Sequence, residues 1–426
     1  MTAPAPPQPS ESAASAELAP RPSRSLNPFR ALQKHRNFRI FWTGQTLSLI
    51  GTWMQSVAQG WLALELTDDP FMVGLVTAMG TIPVLLLSLW AGVFVDRHDK
   101  HRIVLAAQAL LLVQATLLWW FVWTDRIGIG TLVMLALFGG TMNAVEIPAR
   151  QALIIELVGR DDLQDAIALN SSGFNLARII GPSIAAVVIA HLGLAWCFGL
   201  NALSYLAVLI SLFRIELPRR PRAPHPVTAM EGLRQGLAYM RGTREVSVLM
   251  RLIGVLSILG VSYLTLLPVF ARDVLGLGAS GYGTLLTCVG IGALTGALSL
   301  AAVGRWVRRG RLLAIGAHAF ATVLILMSFT RTPTLAAVAL LFAGFTMIMT
   351  NALTNGLLQS IVPDEFRGRV MAAYTFVFVG LSPLGSLIGG AVARMVGVNW
   401  VIGGGGALML AYVAWAFARH AEMRRL

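Results

Sequence analysis

Apolar residues run through this chain in blocks of about twenty or more, separated by short charged, Pro- or Gly-bearing segments. About 20 apolar residues cross a bilayer as an α-helix. The blocks therefore predict twelve membrane-spanning helices, near residues 38–65, 70–95, 102–124, 129–149, 166–191, 195–214, 247–271, 280–303, 312–330, 333–361, 367–393 and 398–418. Two segments break the pattern. Residues 1–28 form a Pro/Ala/Ser-rich tail that cannot bury a core and is expected to be disordered. It has no basic start followed by an apolar stretch, so it does not read as a signal peptide. Residues 216–245 open with Pro218, Pro221, Pro224 and Pro226, after which Met230, Leu233, Leu237 and Met240 recur at helical spacing among charges. That predicts a linker with a short amphipathic helix on the membrane surface, joining an N-terminal half (29–215) to a C-terminal half (246–426).

Composition agrees with the pattern. The 426 residues are 56% hydrophobic and 12% charged, where soluble domains carry about 25% charged residues. Mean hydropathy is +0.70. A soluble enzyme of this length could not hide so much apolar surface, which excludes a soluble multidomain enzyme along with a disordered chain or a disulfide scaffold. Cys197 and Cys288 lie far apart in separate apolar blocks and make neither a disulfide framework nor a metal site.

The net charge of +13 raises the question of nucleic acid. The basic residues, however, fall between the apolar blocks, where membrane topology uses them. An even number of spans puts both termini on one face. That face collects Lys34, Arg36, Arg39, Lys100, Arg214, Arg219, Arg220, Arg308, Arg309 and Arg311 among others, and the opposite face shows Arg126, Arg272, Arg331 and Arg394. Both termini are therefore expected in the cytoplasm, with the lipid bilayer and not nucleic acid as the surrounding partner.

The halves repeat. Leu137-Phe138-Gly139-Gly140 aligns with Leu341-Phe342-Ala343-Gly344, an offset of 204 that also places Val158 on Val362, Asp161 on Glu365 and Gly181 on Gly385. A repeat of six spans in one orientation implies an all-α membrane protein: twelve transmembrane helices in two six-helix bundles that face each other across a cavity, the parallel-repeat arrangement of major facilitator transporters.

The residues also resemble that superfamily. Gly92-Val-Phe-Val-Asp96-Arg97-His98-Asp99-Lys100-His101-Arg102 is similar to its signature loop after the second span, with Asp99 and Lys100 where Gly and Arg are usual. Gly51 to Gln55, Pro148 to Val158, Asn170-Ser171, Asn175 to Pro182 and Pro363 to Val370 resemble the branch that holds the enterobactin exporter and macrolide-efflux pumps. The resemblance covers about residues 30–420. It implies transport by alternating access and a cytoplasmic gate at Gly92, Asp96, Arg97 and Arg102. It also marks Gly181-Pro182 as a helix bend, although Ala185-Ala186 replace the Gly pair that follows in the antiporter motif.

Charges inside lipid are costly and usually functional. Glu146 and Arg178 are the two that fall well within predicted spans. Glu146 reads as a proton carrier, as the partner of Arg178 in an ion pair, or as a residue at the cytoplasmic rim. Gln45, Ser48, Thr52, Gln55 and Gln59 recur at steps of three and four, so they share one face of the first span. Ser171 and Asn175 continue a similar face towards Arg178 and Pro182, and Thr350, Asn351, Thr354 and Asn355 suggest a counterpart in the tenth span. Amides facing lipid would be unsatisfied, so these faces are expected to line the cavity or glue helices together. The C-terminal half shows no buried charge, which predicts a more apolar wall opposite.

The expected function is secondary export of a small lipophilic or siderophore-like molecule across the inner membrane, driven by proton antiport, by a monomer that uses no cofactor and is not an enzyme. An uncoupled facilitator or a lysophospholipid or metabolite transporter is the alternative within the class. A membrane sensor or scaffold without transport is the alternative outside it.

Overall fold

A computed structural model describes residues 29–159, 161–215, 238–303 and 308–424. The predicted tail and the linker positions Met230, Leu233 and Leu237 lie outside the described residues; Met240 is described and buried.

A short helix α1 (Phe29–Lys34) leads into six long ones: α2 (Arg36–Thr67), α3 (Pro70–Arg97), α4 (Lys100–Trp123), α5 (Ile129–Val158), α6 (Leu163–Leu192) and α7 (Ala195–Phe213). The second half starts with α8 (Arg244–Val255), a π turn at Leu256–Gly260, α9 (Ser262–Val269) and a second π turn at Phe270–Val274, which together make one span. Then come α10 (Ala279–Val303), α11 (Arg309–Phe329), α12 (Pro333–Ile361), α13 (Asp364–Gly380), α14 (Ser382–Val396) and α15 (Val398–Arg419). α13 and α14 form one span that breaks at Leu381.

Eleven of these stretches are long and apolar enough to cross a membrane. The remaining span is α2, whose 32 residues carry the polar stripe that dilutes its apolar character. Large apolar side chains such as Leu86, Val187, Phe213, Phe329 and Met395 stand exposed on the outer faces of the helices. So much bare apolar surface is untenable in water and natural against lipid tails. Several helices outrun their apolar blocks. α5 continues nine residues beyond the predicted end at 149 and so takes Arg150 inside the helix.

The repeat reappears in the packing. A Cβ on Gly140 would sit 2.7 Å from the Gly80 carbonyl oxygen, and its counterpart Gly344 meets the Val289 carbonyl in the same way. A Cβ on Gly181 would sit 2.9 Å from the Ile50 carbonyl oxygen, and one on its counterpart Gly385 would sit 2.5 Å from that of Ile258. Each pair of helices needs a missing side chain at the same place in both halves, because only then can the backbones meet. α6 stays helical through Gly181 and Pro182.

Two main contacts join the bundles, α3 against α14 and α6 against α10, with smaller ones from α2 to α9 and α10 and from α3 to α9 and α13. The repeat exchanges one for the other. Polar contacts pin the end away from the termini: Arg272 Nη1 lies 2.6 Å from Asp68 Oδ1, and Arg394 Nη1 lies 3.4 Å from Asp69 Oδ2. Ser183 and Thr287 hydroxyls meet at 3.0 Å between α6 and α10.

Candidate functional site

Between the bundles lies a cavity of 410 Å³. Its N-terminal side brings most of the polar lining, with Thr52, Gln55 and Gln59 from α2, Thr77 and Thr81 from α3, Gln114 from α4, Asn143 from α5 and Arg178 from α6, set among apolar residues such as Val57, Val76 and Leu111. Its C-terminal side is mostly apolar, with Val261, Leu264, Leu286, Val289, Met347 and Phe378 beside Thr265 and Tyr282. The π turn before Val261 reshapes the helix just where it meets the cavity, a common position for such turns. Arg178 is the sole charged side chain in this lining.

The α2 stripe divides into two uses. Thr52, Gln55 and Gln59 line the cavity, while Gln45 and Ser48 are buried inside the bundle. Gln55 is held from both sides, since Asn201 Nδ2 donates to its Oε1 at 2.7 Å and its own Nε2 donates to Gln114 Oε1 at 3.2 Å. Gln114 in turn donates to the Leu135 carbonyl at 3.1 Å. The Thr52 and Tyr205 hydroxyls meet at 3.3 Å. This chain ties α2, α4, α5 and α7 together through buried amides that lipid could not satisfy.

Next to it is a charged cluster. Glu146 is 3% exposed, and Arg150, one turn on, donates to its Oε1 from Nε at 2.9 Å. Gln108 Nε2 donates to the same oxygen at 3.0 Å and lies 3.5 Å from Gln45 Oε1. The partner of Glu146 is therefore Arg150, not Arg178. Sequence reasoning ended the span at residue 149 and so missed Arg150, although the i, i+4 spacing of Glu and Arg was there to be read. Gln108, Gln114, Asn201 and Tyr205 were also missed; isolated amides in apolar blocks were the available signal.

The other expected cavity residues lie elsewhere. Ser171 is exposed and Asn175 donates to its carbonyl at 2.9 Å, so these two serve their own helix. Thr350 and Thr354 are fully buried, and their hydroxyls bond carbonyls four residues back at 2.8 and 2.7 Å. Asn351 bonds Tyr374, and Asn355 accepts from Gln359 at 2.6 Å. These four are absent from the cavity lining because helix carbonyls and neighbouring side chains already satisfy them.

At the face that carries the termini, Asp96, Arg97 and Arg102 are exposed and a Cβ on Gly92 would meet open space. Asp99 caps α4 by accepting from the Arg102 backbone N–H at 3.1 Å. Lys34 donates to Asp162 Oδ2 at 2.5 Å, and the His35 ring lies 2.9 Å from the same oxygen, so Asp162 fastens α1 to the start of α6. These hydrogen bonds, from Lys34 first and His35 second, lower the Asp162 carboxyl to about 2.

A family model described as transmembrane secretion effector matches residues 24–424. The chain is 26% identical over 370 residues to the staphyloferrin A transporter of Staphylococcus aureus, covering 84% of this chain and 90% of that one. It is 24% identical to the multidrug efflux pump Tap of Mycolicibacterium fortuitum, with 82% and 87% covered. It is also 24% identical to the enterobactin exporter EntS of Shigella flexneri, with 86% and 88% covered. Among solved structures, a bacterial homologue of the human lysosomal transporter Spinster superposes with a TM-score of 0.67 at 14% identity, over 91% of this chain and 96% of that one.

Proposed function

Because the chain belongs to the transmembrane secretion effector family of major facilitator transporters, we propose that it exports a siderophore- or drug-like small molecule by alternating access, with proton antiport as the driving force. The observation that carries this reading is the cavity between the two bundles. It lies on the Phe29 and Arg424 side of the ion pairs Asp68–Arg272 and Asp69–Arg394, which bridge the two bundles at the far face. A cavity between two bundles that are bridged beyond it at one face fits one end state of an alternating cycle.

On this reading the basic face is cytoplasmic and the cavity receives cargo from the cytoplasm. Asp96, Arg97 and Arg102, exposed here, form the latch of the opposite state, in which the cytoplasmic face closes. Glu146 takes up the coupling proton. Its charge is held by Arg150 and Gln108, so protonation frees Arg150 and loosens the cluster beside the cavity. An uncoupled facilitator would need no such buried acid.

Cross-linking tests the cycle. Asp69→Cys with Arg394→Cys, in a chain whose Cys197 and Cys288 are replaced, should form a disulfide that stops counterflow in proteoliposomes, and reduction should restore it. The cargo panel is a carboxylate siderophore, a catecholate siderophore and a cationic dye. Asp96→Asn in the same background should speed the cross-link, because it weakens the competing closed state. Full counterflow by the cross-linked protein would refute alternating access at this face.

A further inference from the structure

Arg178 brings a full positive charge to the wall of the central cavity. Among the described residues it has no hydrogen-bond or ion-pair partner. That is unusual, because a half-buried cation within a membrane span is unfavourable when left alone. The neighbouring buried cation, Arg150, has Glu146. Among the described residues, no aspartate or glutamate lines the cavity.

Two further groups, one in the cavity lining and one that feels the Arg178 charge, are unsatisfied. Gln59 lines the cavity, and its Nε2 is buried without an acceptor. The Tyr263 hydroxyl is buried without a partner and lies within electrostatic reach of Arg178. The guanidinium and the Gln59 Nε2 are donors left without an acceptor, and the phenol can donate or accept. A cavity that offers a cation and free donors lacks one thing, an anionic acceptor. Opposite stands the apolar wall of Val289, Met347 and Phe378. The position 204 residues after Arg178 is Ser382, so the second bundle brings no matching charge.

Resting on the transporter reading, we propose that the cavity is a binding site for an amphipathic organic anion, whose carboxylate or phenolate oxygens sit on Arg178, with Gln59 as a further donor in the same cavity, while its apolar body lies against the C-terminal bundle. A guanidinium is the side chain best suited to a carboxylate, offering parallel N–H donors along with its charge. The 410 Å³ volume suits a small amphipathic molecule. The cargo thus enters with its charged end towards the N-terminal bundle, and its charge supplies the partner that the protein withholds.

The test uses two probes of one shape, 2-naphthoate and the uncharged 2-naphthamide, with the full-length protein in nanodiscs and binding read by calorimetry. The wild type should prefer the anion by about tenfold or more, the scale of a charge-assisted contact. Arg178→Gln should bring the ratio to about one, and Arg178→Lys, with charge but no fork, should keep part of it. Gln59→Leu should weaken naphthoate several-fold and naphthamide less, because a carboxylate accepts more strongly than an amide oxygen, which keeps the idea falsifiable if the Arg178 variants do not fold. Equal binding of the two probes to the wild type, binding of neither, or an undiminished ratio in Arg178→Gln would overturn it. Counterflow separates the two readings: a wild type that binds naphthoate selectively but exchanges no cargo contradicts the transporter, not the anion site.

Discussion

Glu146 and Arg150 in α5 have counterparts 204 residues on, Thr350 and Thr354 in α12. The two pairs fill the same turn with different chemistry. In the first half a buried carboxylate and guanidinium bind each other, with Gln108 as a third party. In the second, each threonine bonds a carbonyl of its own helix and asks nothing of its neighbours. The cavity lining shows the same contrast, with Asn143 on one side and its counterpart Met347 on the other. Two bundles that share glycine contacts and topology have divided the work: one holds charge and amides, and the other presents an apolar wall.

The largest expected effect would test that division directly. Glu146→Ala strands the Arg150 cation and should cost about 3–5 kcal/mol, whereas Thr350→Val removes a local bond and should cost under about 1 kcal/mol. Thermal unfolding in detergent measures both, and equal losses would erase the contrast. Glu146→Gln keeps an oxygen for Gln108 and Arg150 and separates coupling from stability. It should abolish transport driven by a pH gradient into everted vesicles yet leave exchange between loaded pools, and unchanged gradient-driven uptake would remove the proton role.

A smaller effect is expected from the amide chain. Gln55→Leu leaves Asn201 and Gln114 without partners and should cost about 2 kcal/mol, while Thr265→Val, which breaks the single bond to Ser386, should cost about 1 kcal/mol. A Gln55 variant as stable as the Thr265 variant would mean that the amides re-pair.

The smallest concerns how each bundle fastens the segment before it. Asp162 holds α1 through Lys34 and His35. At the repeat position Phe366 stacks on Tyr239 with ring centroids 4.6 Å apart, and Arg369 lies over the Phe366 ring. The Asp162 carboxyl is lowered in the folded state, so its contribution is complete above the ordinary value of 3.8 and is lost as the pH falls towards about 2. Hydrogen exchange of residues 29–34 should therefore rise over that acid range and with added salt. Residues 238–242 should respond to neither. Equal responses would show that one kind of fastening serves both halves.

Helix content and the repeat were legible because lipid imposes a simple rule: apolar blocks of the right length become spans. Ends were less legible, since a helix stops at its cap and not where its apolar block ends. That single difference hid Arg150 and, with it, the true partner of Glu146. The cavity was half legible. Polar residues of α2 and Arg178 announced themselves, because polar groups in lipid need a reason. Val261, Leu286 and Met347 did not, because a cavity wall, a protein core and a lipid-facing surface all read as apolar. Thr350 and Thr354 misled in the other direction, as a hydroxyl can satisfy itself on its own helix.

Asp68 and Asp69 are neighbours in the chain but reach different helices of the other bundle, through Arg272 and Arg394. Asp68 and Arg394 are well exposed, with 81% and 65% of their side chains open to the medium. Ions in that medium screen charges over about 10 Å at 0.1 M salt, and over a shorter range as salt rises. Brine therefore loosens the double clasp and fresh water tightens it. In the proposed cycle, the surroundings of the cell thus enter the resting balance of the molecule without any dedicated sensor, and salinity becomes a setting of its working rate.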